Sequence, residues 1–346
     1  MHTRAYAATS ASAPLTPFEF ERRAVGPRDV AFTVLFAGIC HSDIHQVREE
    51  WRPSLFPMVP GHEIVGVVTA VGTDVQKFAI GERIGVGVFV DACRECANCL
   101  AGLDQYCDAG FTPTYNGYER DGATIAQGGY SNAFVVDERY AVKVSEDLDP
   151  AGAAPLLCAG ITLYSPLRHW KVGPGSKVGV IGLGGLGHMG VQLAHAMGAE
   201  VTVFSHSASK HEDALALGAD HFVLTNAADA LTPLEKHFDL IINTVSADID
   251  LNPYLSLLKL HGTLVIVGLS GVPMAIRQGN LLDNRRSIAG SMIGGMAELQ
   301  EMMDFCAQHN ITSQVEVINA DYINTAYERT VASDVKYRFV IDASTF

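Results

Sequence analysis

The sequence predicts an α/β protein of two domains, one β-rich and irregular, the other a doubly wound parallel sheet. Three observations carry this reading. The chain has 346 residues, too many for one typical core at roughly 150 residues per domain. Its first 150 residues hold short β-branched runs broken by Gly and Pro, such as Ile64 to Val71 and Arg83 to Val90, with few long helical patterns. From Lys177 the texture changes to alternating strand and helix signals, which imply parallel strands with crossover helices.

Strands are expected at Val178 to Ile181, Val201 to Phe204, His221 to Leu224, Leu240 to Asn243 and Thr263 to Val267, with Ile288 to Ile293 as a sixth. Glu298 to Gln308 reads as a helix leaving the sheet, and Tyr337-Arg338-Phe339-Val340-Ile341 returns to β character. The expected organisation is a β-rich domain at 1–156, a parallel-sheet domain at 157–293, and a return of the chain to the first domain at 294–346. Val178 to Ala199 is apolar and about as long as the ~20 residues of a membrane span. Its clustered glycines and its His188, Gln192 and His195 favour a strand, a turn and a helix instead.

A formal net charge of -14 argues against a nucleic-acid or anionic-membrane surface, since no basic run offsets it. The opening residues MHTRAYAATSASAP lack an apolar core of the kind a secretory leader carries, so a cytoplasmic protein is expected. Thiols stay reduced there, and seven cysteines then more readily bind metal or do chemistry than form bridges.

Cys93, Cys96, Cys99 and Cys107 have the spacing of a closed structural zinc site, in which four thiolates leave no position open for chemistry. Two disulfides are the competing reading, and four cysteines could pair in three ways.

Gly182-Leu183-Gly184-Gly185-Leu186-Gly187 follows a predicted strand and opens a predicted helix, the setting in which this pattern binds a dinucleotide pyrophosphate. The next strand would end in a carboxylate if the adenosine ribose kept a free 2'-hydroxyl; it ends instead in Phe204-Ser205-His206-Ser207-Ala208-Ser209-Lys210. Ser205, Ser207 and Lys210 suit a 2'-phosphate, so NADP(H) is expected over NAD(H). The alternative is a solvated loop whose serines cap the following helix.

Cys40-His41-Ser42-Asp43-Ile44-His45, Gly61-His62-Glu63 and Cys158 form a dispersed second set of potential ligands. Two thiolates and one imidazole leave the fourth position of a tetrahedral zinc free, as catalytic sites require.

The chain resembles the zinc-dependent medium-chain alcohol dehydrogenases, and among them the cinnamyl-alcohol-dehydrogenase-like aldehyde reductases. The matching segments are CHSDIHQVREEW from Cys40, PGHEIVGVV from Pro60, CRECANCLAGLDQYC from Cys93, APLLCAGITLYSPL from Ala154, GLGGLGHMGVQLAHAMGA from Gly182, GSMIGG from Gly290 and VKYRFVID from Val335. The resemblance implies a GroES-like catalytic domain, a Rossmann domain, two zinc ions per chain and a homodimer. It implies that Cys40, His62 and Cys158 hold the catalytic zinc, with Glu63 as a carboxylate able to approach the metal and Asp43 holding the imidazole of His62. Ser42 and His45 match a proton relay through the nicotinamide ribose. The cofactor residues it implies are Ser42, Thr162, Gly182, Leu183, Gly184, Gly185, Leu186, Gly187, Ser205, His206, Ser207, Lys210, Thr244, Gly268, Met292, Ile293 and Gly294, with Arg338 reaching the cofactor phosphates.

Plant lignin-pathway members place a bulky aromatic where this chain has Pro113, within Phe111-Thr112-Pro113-Thr114-Tyr115-Asn116. A broad range of aromatic and medium-chain aliphatic aldehydes is therefore expected, with Trp51, Leu55, Met58, Phe89 and Met292 as candidate pocket walls. Cys306 carries no expected role. The competing functions are a zinc-independent reductase and a non-catalytic nucleotide-binding sensor or structural protein on the same fold.

Overall fold

A computed structural model describes residues 1–346, which divide into two compact units: Met1–Ile161 with Gly294–Phe346, and Thr162–Ile293. Residues 157–161, Cys158 among them, thus pack with the first unit, whereas the sequence reading placed them with the second.

The first unit is built on a seven-stranded mixed sheet. Six strands run in the order Val142–Lys143, Arg83–Val86, Ile64–Val71, Asp29–Gly38, Arg338–Asp342 and Val315–Ile318, and Ala133–Asp137 also pairs with Asp29–Gly38. The long strand Asp29–Gly38 organises this sheet, because three partners share it. The return of the chain end is visible in its register: Val340 and Ile341 lie opposite Gly38 and Ala37. The expected run Arg83 to Val90 is two strands, Arg83–Val86 and Phe89–Asp91, because the chain leaves the sheet at Gly87 and Val88. The helix Met296–His309 buries Leu299, Met302, Met303 and Cys306, a three-and-four spacing that puts one apolar stripe on the core. Asn310, in the left-handed conformation at φ 52°, ends it.

The second unit is a six-stranded sheet in the order His221–Leu224, Glu200–Ser205, Lys177–Ile181, Phe238–Asn243, Leu258–Ile266 and Ser287–Gly290, and every pairing is parallel. In chain order this is 3-2-1-4-5-6, the doubly wound dinucleotide-binding arrangement. The sixth strand stops at Gly290, three residues short of the expected Ile293. Phe204, Phe238, Ile241, Leu255, Leu258 and Leu264 form its buried core, as expected of strands covered on both faces. The apolar stretch 178–199 is a strand, a glycine turn and the helix Gly187–Ala196. No helix is long and apolar enough to cross a membrane.

Candidate active site

Cys40 sits where the strand Asp29–Gly38 gives way to the helix His41–Val47, as the residue preceding that helix. Asp43, one turn in, accepts the Cys40 amide at 3.0 Å and so fixes the turn. His62 and Glu63 immediately precede the strand Ile64–Val71, which pairs with Asp29–Gly38, so sheet register brings them beside Cys40. Cys158 follows the short 3-10 turn Ala154–Leu157. Ligand atoms of Cys40, His62, Glu63 and Cys158 all lie within 4.8 Å of one another.

The donor set fits a metal cation. His62 turns Nδ1 to Asp43 Oδ1 at 2.9 Å, while its buried Nε2 has no hydrogen-bond partner. A buried imidazole nitrogen left this way, among two sulfurs, is what a thiolate–imidazole zinc site presents to its ion. A hydrogen bond from Cys158 holds the Cys40 thiol well below the usual cysteine range, and the same bond pushes Cys158 well above it. Burial opposes charge on His62, but the Asp43 carboxylate outweighs it and holds the ring well above the ordinary histidine value. Burial pushes Glu63 up to about 7, against the pull of Arg338.

Arg338 was expected at the cofactor phosphates; it lies buried in the first unit, with Nη2 2.6 Å from both oxygens of Glu63. Its Nε and Nη2 also donate to the Ile39 carbonyl, at 3.1 and 2.8 Å. A Cβ on Gly38 would stand 2.1 Å from Glu63 Oε2, so this carboxylate can occupy its place only against glycine.

Ser42 Oγ lies 3.6 Å from Cys40 Sγ, one residue into the same helix. His45, a turn further on, pairs through Nδ1 with Glu50 and stacks on Trp51, ring centroids 5.0 Å apart. Glu50 is a residue the sequence reading missed, although its position five residues after His45 in an acidic pair was a visible signal. Tyr115, also missed, lays its ring against His62 at 5.9 Å and donates to the Ser42 carbonyl at 3.3 Å. Of the candidate pocket walls, Met58 and Phe89 are core: Met58 bridges to Ala8, and Phe89 packs on Phe111 and Tyr140. Trp51 and Met292 are exposed and Leu55 is half-buried.

The sulfurs of Cys93, Cys96, Cys99 and Cys107 also lie within 4.8 Å of one another, with Cys93 and Cys99 3.9 Å apart. A tetrahedron with metal–sulfur bonds of about 2.3 Å has edges of about 3.8 Å, so the loop is shaped for an ion. All seven cysteines are unbridged, which removes the two-disulfide reading. Amides of Cys93, Cys96, Cys99 and Asp108 point at these sulfurs from 3.3 to 3.5 Å, as they do where thiolate charge is held.

In the second unit the glycine-rich turn joins the strand Lys177–Ile181 to the helix Gly187–Ala196. Gly182 takes φ +90°, and a Cβ on Gly187 would meet the Gly182 carbonyl at 2.1 Å, the tight turn and close packing this motif needs. A Cβ on Gly184 would enter open space, which leaves its backbone approachable. No side chain caps the helix N-terminus, where the His188 and Met189 amides turn back to the Gly184 and Leu186 carbonyls at 3.1 and 3.0 Å. His188 Nδ1 holds the Gly184 carbonyl at 3.0 Å and Thr244 Oγ1 holds that of Ile181 at 2.8 Å. Gly268 donates its amide to Asn243 at 3.0 Å beside Val245.

The strand Glu200–Ser205 ends without a carboxylate. Ser205 Oγ accepts the Ser207 amide at 3.1 Å, and Ser207 Oγ lies 2.9 Å from Ser209 Oγ. Ser207 makes no capping hydrogen bond to the short helix Ala208–Lys210, contrary to the capping alternative, and His206 is tied by its carbonyl to Asn226 at 3.2 Å. Thr162 lies on the helix Ala159–His169, and Met292 and Ile293 close the second unit, with Gly294 the first residue back in the first.

Comparison with known proteins agrees with this geometry. Residues 26–146 match the model of the alcohol dehydrogenase GroES-like domain, and residues 185–308 that of the zinc-binding dehydrogenases. An NADP-dependent alcohol dehydrogenase C of Mycolicibacterium smegmatis is 59% identical over 342 residues, covering 99% of this chain and 98% of the relative. This chain belongs to the cinnamyl-alcohol-dehydrogenase-like zinc alcohol dehydrogenases. An aldehyde reductase of Escherichia coli K12 is 52% identical over 347 residues, covering 100% of this chain and 99% of its own. A cinnamyl alcohol dehydrogenase from Sorghum bicolor superposes with a TM-score of 0.96 at 44% identity, over 99% of this chain and 98% of the sorghum chain. As a zinc alcohol dehydrogenase the chain is an enzyme, a zinc-dependent oxidoreductase of alcohols and aldehydes.

Proposed function

We propose that this enzyme reduces a broad range of aromatic and medium-chain aliphatic aldehydes with NADPH, and oxidises the corresponding primary alcohols with NADP. The observation that carries the reading is the orphaned Nε2 of His62, buried beside Cys40 and Cys158. In this reading Cys40, His62 and Cys158 would hold the catalytic zinc and the four-cysteine loop a structural one. When bound, zinc supplies Lewis acidity toward the substrate oxygen, and NADPH supplies the hydride.

The chain's own residues do the rest. Asp43 fixes which nitrogen of His62 is turned to the ion. Arg338 balances Glu63, so one buried carboxylate can stand beside the ligand set without a second net charge. Ser42 Oγ, 3.6 Å from Cys40 Sγ, would exchange a proton with the substrate oxygen. His45 continues the path: with Nδ1 on Glu50, Nε2 is the nitrogen left to take up or release the proton. In the cofactor unit Gly182 to Gly187 would cradle the pyrophosphate, while Ser205, Ser207 and Lys210 would receive the 2'-phosphate. The NADP dependence of the mycobacterial relative supports this choice. Trp51, stacked on His45, and Leu55 would supply apolar wall without the bulky aromatic of the plant lignin-pathway members, where this chain has Pro113.

The enzyme works as a cytoplasmic homodimer in this reading. Seven unbridged cysteines support a reducing compartment. The open edge of the strand Ser287–Gly290 and the exposed Leu269, Val272, Met274 and Leu282 support an apolar subunit contact, which light scattering would test. Absorbance at 340 nm over a panel of aldehydes with NADPH and NADH tests the activity. Turnover of benzylic and medium-chain aldehydes with NADPH is expected, and turnover confined to polyols or ketoses would contradict it.

A further inference from the structure

Asp43 is fully buried, and four donors converge on its two oxygens. Oδ1 faces His62 Nδ1 at 2.9 Å and the Gly61 amide at 3.2 Å; Oδ2 takes the Cys40 amide at 3.0 Å and the Tyr130 hydroxyl at 3.2 Å. Three of these donors belong to ligand residues or their immediate neighbour. The fourth comes from 87 residues further along the chain, from a side chain itself fully buried.

The backbone is shaped around that approach. Gly61 takes φ +104°, and a Cβ there would stand 2.5 Å from Tyr130 Cδ1 and 2.9 Å from the Tyr130 amide nitrogen. The two segments also interlock through Tyr130 N to the Pro60 carbonyl and Gly129 N to the Gly61 carbonyl, each at 2.9 Å. The glycine before His62 therefore leaves room for one particular ring, and that ring delivers its hydroxyl to the carboxylate behind the imidazole.

We propose that Tyr130 is a positioning residue for the zinc assigned to Cys40, His62 and Cys158: its hydroxyl locks Asp43, and Asp43 locks the plane and tautomer of His62. This rests on that ligand assignment. A carboxylate deprived of one of four donors in a buried site can rotate toward the remaining three, and the imidazole it holds rotates with it. Groups that orient metal-bound histidines in this way typically govern about 10- to 100-fold in metal affinity.

The test follows zinc release from the purified full-length enzyme into a chromogenic chelator, for the wild type, Tyr130→Phe, Tyr327→Phe and Cys40→Ser. Tyr327 meets the Tyr130 ring edge to face at 6.4 Å and makes no hydrogen bond to Asp43, so it controls for loosening of the buried tyrosines. Tyr130→Phe should accelerate about tenfold or more only the phase that Cys40→Ser lacks, with the four-cysteine phase unchanged. Tyr327→Phe should leave both phases at wild-type rates. Wild-type rates in Tyr130→Phe, or equal acceleration in Tyr327→Phe, would overturn the proposal. Two intact phases in Cys40→Ser would instead overturn the ligand assignment beneath it.

Discussion

Arg338 places its guanidinium 2.6 Å from both oxygens of Glu63, across 275 residues of sequence, and neither side chain reaches appreciable solvent. The pair joins the last strand of the first unit to the segment that carries His62. It brings a cation into a cluster of two thiols, an imidazole and a carboxylate. Breaking such a pair from one side strands a buried charge, a cost of about 3–5 kcal/mol.

Arg338→Met should accordingly lower the melting temperature of the enzyme by several degrees, and adding Glu63→Gln should restore part of the loss. Differential scanning calorimetry of the single and double variants checks this. Additive losses would mean that the two side chains are energetically independent.

Cys306 lies on the buried face of the helix Met296–His309, with its thiol 3.5 Å from Met302 Sδ, and burial pushes it up to about 12. The sign follows from linkage: the unfolded thiol ionises near 9, while the folded one keeps its proton to about 12, so the unfolded state is favoured progressively as pH rises through that interval. Stability should fall between about pH 9 and 12, and Cys306→Ala should flatten that slope at a constant cost of about 1 kcal/mol for the lost packing. Denaturant unfolding from pH 7.5 to 10.5 measures it. In the native enzyme at pH 8, Cys306 should also resist alkylation, read by peptide mass spectrometry.

The strand Glu200–Ser205 ends in a serine rather than the carboxylate of an NAD-preferring site, and Lys210 follows five residues on. Lys210→Glu should lower kcat/KM for NADPH by about tenfold or more, roughly 1.4 kcal/mol, with a far smaller effect on NADH. Equal effects on both cofactors would remove Lys210 from the 2'-phosphate site.

Much of this architecture was legible in sequence because its signals are local. The glycine turn, the alternation of strands and crossovers, and the Cys-x-x-Cys spacing each lie within a few residues, and Asp43 shares a helical turn with Cys40. What escaped depends on sheet register and side-chain packing. Arg338 meets Glu63 only because Val340 and Ile341 pair with Gly38 and Ala37. Tyr115 and Tyr130 reach His62 and Asp43 from loops with no metal-site signature. Met58 and Phe89 were expected at a pocket wall, yet both are core, since an apolar side chain near a site and one beneath it read alike in sequence.

Cys40, His62 and Cys158 would hold the zinc on which turnover depends, apart from the four-cysteine loop. Zinc content and aldehyde turnover of Cys40→Ser, measured on the same preparation, test it most directly. Cys40→Ser should carry about one zinc per chain against two in the wild type, with turnover abolished and NADPH binding retained. Two zinc ions per chain with wild-type turnover would contradict it.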